Sequence, residues 1–243
     1  MNLDGQIVLV TGASGGIGHA ISARLAADGA TVALGYSRNR ATAETLAATI
    51  TAAGGHAVAV AADLAPPHGP RDLVRAVEQR LGPVDVLVSN AGTGTRQAFD
   101  AIGLDELDVT LAVNLRAPFL LAQQIVPGMR ARRRGRLLFV SSVAAFTGGA
   151  VGAHYAASKA GLHGLTRYLA TLLAADGITV NALAPALIAD TGLLPGDPGQ
   201  LAARIPVGRL GRPEEVAELA AAIVTNDYLT NQVVSLDGGM YPR

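Results

Sequence analysis

The sequence contains no cysteine, which removes disulfides, thiolate nucleophiles and cysteine-based zinc sites and leaves nothing that requires an oxidising compartment. It also carries no net charge: 19 basic residues balance 19 acidic ones, so there is no general pull toward nucleic acid or an anionic membrane. No apolar run in the sequence approaches the length of a membrane span. Met1 to Gln6 lead into an apolar stretch without the basic flank of a secretory signal, so the expected location is the cytoplasm. No repeat or low-complexity linker interrupts the chain, and one domain is expected over residues 1–243. No group of histidines and carboxylates has metal-ligand spacing, so no catalytic metal is expected. Lysine is almost missing too: of the 19 basic residues, only Lys159 is not an arginine.

What is present is apolar and periodic. Half of the 243 residues are hydrophobic, enough for a full core. Short β-rich runs alternate with longer Ala- and Leu-rich helical stretches, the pattern of a doubly wound parallel α/β sheet. Strands are predicted near 6–11, 31–35, 57–61, 85–89, 136–141, 178–182 and 233–236, making one seven-stranded sheet flanked by helices. Helices are predicted near 17–28, 41–53, 70–81, 105–132, 155–175 and 213–224. Residues 187–212, with Pro195, Pro198 and Pro206, form the longest stretch without either period. A loop of that length after a strand's carboxyl end reads as a substrate lid.

Thr11-Gly12-Ala13-Ser14-Gly15-Gly16-Ile17-Gly18 follows the first strand and opens a helix. That context suits a dinucleotide's pyrophosphate: glycines admit close backbone approach, and the helix N-terminus stabilises the negative charge. The same letters match the G-x-S-x-G elbow of serine hydrolases. That reading needs a later acid followed by a histidine, and the last histidine is His163. After the second strand comes Gly35-Tyr36-Ser37-Arg38-Asn39-Arg40, with no acid to bind a ribose 2′-hydroxyl. Arg38, helped by Ser37 and with Arg40 a further candidate, favours a 2′-phosphate and hence NADP(H), with NAD(H) the alternative.

Tyr155 and Lys159 stand four apart at the start of a helical stretch and so share a face. A phenol ordinarily titrates near about 10, and a neighbouring ammonium is expected to lower that value so the group can exchange protons near neutral pH. A lone lysine where every other cation is arginine points to a need for a compact ammonium. Ser141 and Ser142, at the end of a predicted strand, reach toward the same crevice.

Taken in order, TGASGGIG from Thr11, SNAG at Ser89 to Gly92, Asn114, the serine pair and YAASK from Tyr155 resemble the classical short-chain dehydrogenase/reductase family over nearly the whole chain. The closing NALAP at Asn181 and SLDGG at Ser235 are most similar to the branch with 3-oxoacyl-carrier-protein reductases and related ketoreductases. The resemblance implies a Rossmann-type fold and a catalytic tetrad. In it Tyr155 is proton donor or acceptor, and Ser142, at the family spacing of thirteen residues before it, orients the carbonyl. Lys159 binds the nicotinamide ribose and tunes Tyr155, while Asn114 holds a relay water. The implied cofactor contacts are Gly12, Ser14, Gly15, Gly16, Ile17 and Gly18, then Tyr36, Ser37 and Arg38. Asp63 and Leu64 lie at the adenine, Asn90, Ala91 and Gly92 on the ribose side, and Tyr155, Lys159, Pro185 and Ile188 near the nicotinamide.

Some positions depart from the pattern. Gly15 stands where many NADP-dependent members have a cation, so Arg38 would hold the phosphate largely alone. Ala186 replaces the usual glycine after Pro185, and Asp190 takes the place of a threonine that is displaced to Thr191. The reading is an NADPH-dependent reduction of a ketone or 3-oxoacyl thioester to an alcohol; the alternatives are the oxidative direction or a non-catalytic dinucleotide sensor. Phe146, Val151, Leu187, Leu193 and Leu194 allow a moderately hydrophobic small-molecule substrate. Arg130, Arg132, Arg133, Arg134 and Arg136 offer a docking face for an acidic acyl-carrier protein or, alternatively, a solvated helix end. His154 reads as pocket lining or exposed rather than as a base. The family resemblance implies a homotetramer or homodimer.

Overall fold

The computed structural model describes residues 3–192, 194 and 196–241. Met1, Leu193 and Pro195, named above, lie outside the described residues. Seven strands run parallel: β1 (Ile7–Thr11), β2 (Thr31–Tyr36), β3 (His56–Ala61), β4 (Val86–Ser89), β5 (Gly135–Val140), β6 (Ile178–Pro185) and β7 (Val233–Leu236), in the spatial order β3-β2-β1-β4-β5-β6-β7. Strand order reverses between β1 and β4, and in such sheets a crevice opens at the carboxyl ends of the strands there.

Apolar residues on both faces of each strand require helices on both sides. Val8 and Val10 of β1 face one layer, packing with Ile21 and Leu25 of α1 (Gly16–Ala27), Leu46 and Ile50 of α2 (Arg40–Ala52) and Val216 and Ala220 of α9 (Pro213–Val224). Leu9 faces the other layer, with Leu73 and Val77 of α3 (Gly69–Leu81), Leu121 and Ile125 of α5 (Ala117–Arg132) and Leu162 and Ala170 of α7 (Ala153–Leu173). Adjacent side chains of one strand thus supply both cores.

The helix predicted over 105–132 is not uniform. An α-helical stretch, α4 (Leu104–Leu111), passes into a π-helical segment at Ala112–Arg116 before α5. A π segment inserts an extra residue into the ladder, which periodicity alone does not reveal, and such segments often mark functional sites. Here it carries buried Asn114. The stretch Leu104–Arg132 is also apolar and long enough, by length and composition, to cross a membrane, contrary to the sequence reading. Its apolar positions Leu121, Ala122, Ile125 and Met129 are buried against the sheet.

Among the described residues there are also two short α-helices, α6 (Ala144–Thr147) after β5 and α8 (Pro198–Ala202) within the long segment that follows β6, and two 3-10 turns at Phe99–Ala101 and Ala174–Asp176. That segment is pinned at its base, where Ala189 N–H donates to Gly211 O (2.8 Å) and Gly211 N–H to Leu187 O (3.0 Å). It is a closed excursion over the carboxyl rim.

Candidate active site

A cavity of about 1100 Å³ runs along that rim from the ends of β2 and β3 to the segment after β6. Its floor is the glycine turn. Gly12 has φ +67°, and a methyl added there would lie 2.8 Å from Ala91 Cα, so the turn demands glycine. Helix α1 begins at Gly16 without a side-chain cap, which leaves its first amides available to an anion. Gly12, Ser14, Gly15, Gly16, Ile17 and Gly18 all line the cavity. Asn90, expected on the ribose side, lines it as well, but its side-chain amide donates to Thr11 O (3.0 Å) and Gly12 O (3.2 Å). Thr11 Oγ1 accepts from the Asn90 and Ala91 amides, both at 3.0 Å. Asn90 is therefore a clamp that fixes the turn to the end of β4.

At the β2 end the cavity is lined by Tyr36, Ser37 and exposed Arg38, and by Asp63 and Leu64 after β3. Arg40 is engaged elsewhere, with its guanidinium 2.7 Å from Glu44, and does not line the cavity. One Asp63 oxygen accepts the Ala65 amide at 2.9 Å.

Tyr155, Ser142 and Lys159 meet toward the other side. The Ser142 hydroxyl hydrogen-bonds the Tyr155 phenol. Ser141 is buried and turned away, donating to Lys159 O (3.1 Å) and lying 2.8 Å from His163 Nε2, so the two serines separate cleanly. Lys159 is buried, donates to Val140 O at 2.8 Å and sits 5.8 Å from the centre of the Tyr155 ring. Burial pulls its pKa down from 10.5 to about 8. Tyr155 departs from expectation: burial raises its pKa, with the Ser142 hydrogen bond a smaller opposing effect. The loss of water around the phenol, which spacing along the chain does not reveal, is the larger effect.

Asn114 packs under this group with its side chain fully engaged. Its Oδ1 accepts the Thr93 amide (2.8 Å), and its Nδ2 donates to Thr93 O (2.8 Å) and Ser158 Oγ (3.0 Å). It ties the loop after β4 to α7. Pro185 and Ile188 line the cavity, and Thr191 Oγ1 turns back onto Ile188 O at 2.8 Å. His154 neither lines the cavity nor is exposed: it is buried beside Glu106 (Nε2 to Oε1, 3.5 Å). Sequence reasoning missed Thr93, Gly94 and Ser158. Gly94 is required because an added methyl would lie 2.8 Å from the Tyr155 ring, a signal visible only as the second glycine of Gly92-Thr93-Gly94.

The arginine cluster is at the far end of the sheet. It flanks the start of β5, about 20 Å of strand away from Ser142. Arg130 pairs with Asp176 (2.7 Å), Arg134 (3.3 Å) and Arg132 (3.6 Å) with Asp85, and Arg136 with Asp227, while Arg133 donates to Ala175 O (2.8 Å). These cations hold the sheet's amino rim together.

Residues 6–197 match the profile described as short chain dehydrogenase. The chain is 37% identical to a 3-oxoacyl-[acyl-carrier-protein] reductase of Synechocystis sp., covering 98% of both. It is also 37% identical to an L-rhamnose 1-dehydrogenase (NAD(P)(+)) of Sphingomonas sp., covering 98% of this chain and 97% of that one. Among solved structures, a blue fluorescent protein from a metagenomic library in complex with NADPH superposes with a TM-score of 0.92 at 37% identity over 100% of both chains. A short-chain dehydrogenase/reductase from Serratia marcescens does so at 0.90 and 36% over 99% of both. With the parallel sheet, glycine turn and Ser142–Tyr155–Lys159 geometry in place, the chain belongs to the short-chain dehydrogenase/reductase family, NAD(P)-dependent oxidoreductases acting on CH-OH groups.

Proposed function

We propose that the protein is an NADPH-dependent ketoreductase that converts a small ketone, with a 3-oxoacyl thioester among the candidates, to a secondary alcohol. The observation that carries this reading is the Ser142-bound Tyr155 phenol above buried Lys159, inside a cavity continuous with the glycine turn. The residues present fit a dinucleotide. The uncapped start of α1 suits the pyrophosphate, Arg38 with Ser37 the 2′-phosphate, Asp63 and Leu64 the adenine, and Lys159 the nicotinamide ribose. The bound nicotinamide supplies hydride.

The chain's own groups do the rest. Ser142 orients the carbonyl oxygen, and Tyr155 gives it a proton. Burial keeps the phenol protonated at neutral pH, which is the state reduction requires. Asn114 positions the loop that backs the ring. Residues 187–212 act as the substrate lid of a single domain. The apolar wall formed by Val151, Leu187 and Leu194 favours a moderately hydrophobic ketone. A carrier-borne thioester, if used, would approach the carboxyl rim rather than the arginine cluster. Exposed Phe119, Tyr168 and Leu172 and a groove of about 900 Å³ beside Gly161 and Gly164 support assembly as a homodimer or homotetramer in the cytoplasm. Likeness to the rhamnose dehydrogenase supports a second reading, oxidation of a polar secondary alcohol at the same groups.

The test is consumption of NADPH and NADH against β-keto thioesters, cyclic ketones and aryl ketones by the intact protein and by Tyr155→Phe. Tyr155-dependent turnover with NADPH favoured is the expected result. Dinucleotide binding without turnover on the whole panel would favour the sensor reading instead.

A further inference from the structure

We infer that Arg204 makes the substrate end of the cavity selective for ketones that carry an anionic group, a carboxylate or a phosphate, away from the carbonyl. The inference rests on the ketoreductase reading and names the substrate class of that same site.

Among the described residues, four charged side chains line the cavity: Arg38, Asp63, Lys159 and Arg204. Sheet order divides them. Asp63 and Arg38 follow β3 and β2, at the nucleotide end. Arg204 belongs to the excursion after β6, and its neighbours rest on the turn after β7. Val207 N–H donates to Gly238 O (3.2 Å), and Ile205 Cγ2 lies 2.6 Å from where a methyl on Gly238 would stand. Four strand steps separate β2 from β6, about 20 Å at the usual spacing, so Arg204 stands far from the nucleotide end. Buried Lys159 is capped by Val140 O, which leaves Arg204 as the exposed charge on the substrate side among the described residues, with no carboxylate of those residues lining that half.

The other arginines of the excursion behave differently. Arg209 and Arg212 both pair with Glu215, at 2.6 and 3.7 Å, and neither lines the cavity. Asp197, an acid of the same segment, is occupied in accepting the Gln200 amide at 3.0 Å. Arg204 has no acidic partner among the described residues, and its neighbours in the wall, Leu201, Leu194, Met240 and Tyr241, offer no countercharge. An unpaired guanidinium beside an apolar wall matches a ligand with an apolar body and an anionic tip, and a planar fork suits carboxylate and phosphate oxygens.

The experiment uses matched pairs with the same reacting carbonyl: a δ-keto carboxylate against its methyl ester, and acetoacetyl-coenzyme A against acetoacetyl-N-acetylcysteamine. The first pair tests a free carboxylate, the second a phosphate-bearing arm. Wild type is expected to favour the anionic member of at least one pair by about threefold to tenfold in kcat/KM, chiefly through KM, because the contact is charge-assisted but solvent-exposed. In Arg204→Gln the ratio falls to about one. Arg204→Lys keeps part of it, and added salt shrinks it in wild type. A wild-type preference for both neutral members, or an unchanged ratio in a folded Arg204→Gln, overturns the inference. If no pair is reduced, the ketoreductase reading fails. Charge selectivity is then read from the rise in thermal midpoint that each pair member gives with NADPH present; equal rises in wild type and Arg204→Gln overturn it by that route as well.

Discussion

The two rims of the sheet treat charge in opposite ways. At the amino rim, Asp85 is mostly buried, accepts the Ile7 amide at 3.0 Å and faces Arg132 and Arg134, while Arg130 and Arg136 each have their own aspartate. At the carboxyl rim, the α1 amides lack a cap, Lys159 is buried without an acid, and Arg38 and Arg204 line open space. Charges that hold a fold together are neutralised within it. Those at the carboxyl rim remain short of acidic partners among the described residues, and the fold tolerates the cost.

Substitutions on the two rims should therefore separate activity from stability. The largest effect is expected from Tyr155→Phe, which removes the proton donor but not the ring: turnover falls by about 10²- to 10⁴-fold with an unchanged thermal midpoint. Lys159→Met should lose turnover and gain stability at pH 7. The folded pKa, about 8, lies below the 10.5 of an exposed lysine, so burying the ammonium costs the folded state about 3 kcal/mol. The unfolded chain binds more protons between those values. Wild-type stability thus rises with pH across that window, and the penalty is fully present below it. Urea titrations of both proteins at pH 7 and above pH 10 check this, and a midpoint lowered by the substitution would contradict it. Reduction by the wild type should decline as pH climbs through about 8 and the ammonium is lost.

At the amino rim, Asp85→Ala strands the Ile7 amide and two guanidinium groups, and about 2–3 kcal/mol of stability is expected to go while KM stays put. Arg38→Ser should raise the KM for NADPH about tenfold and leave that for NADH alone. The smallest effect belongs to Arg130→Gln, where an exposed pair with Asp176 is worth about 0.5 kcal/mol or less and turnover of carrier-borne substrate should not change. A selective loss of carrier-borne turnover there would return the cluster to a docking role.

The order of strands and helices was legible because apolar periodicity and turn residues are local. So were the glycine turn and the Tyr155–Lys159 pair, since each is fixed by spacing along one element; the choice of Ser142 over Ser141 rested on the family resemblance. The π segment around Asn114 was not: one inserted residue hardly disturbs the apolar pattern, and its stabilising contacts, Thr93 and Ser158, come from other parts of the chain. Nor did the sequence tell that His154 points into the protein toward Glu106, or that Asn90 spends its amide on the glycine turn.

By itself, then, the sequence determined the main strands and helices and set Tyr155 and Lys159 on one helix face, because 3.6- and two-residue periods and i, i+4 spacing are properties of short segments. Only the tertiary structure decided which rim each charge occupies. It separated the arginine cluster from Tyr155 by the length of β5, and it brought Arg204 from the far side of the chain into the cavity of the glycine turn. It also made burial, rather than the neighbouring ammonium, the dominant influence on the Tyr155 phenol, since the loss of surrounding water depends on everything packed around a group and not on its neighbours in sequence.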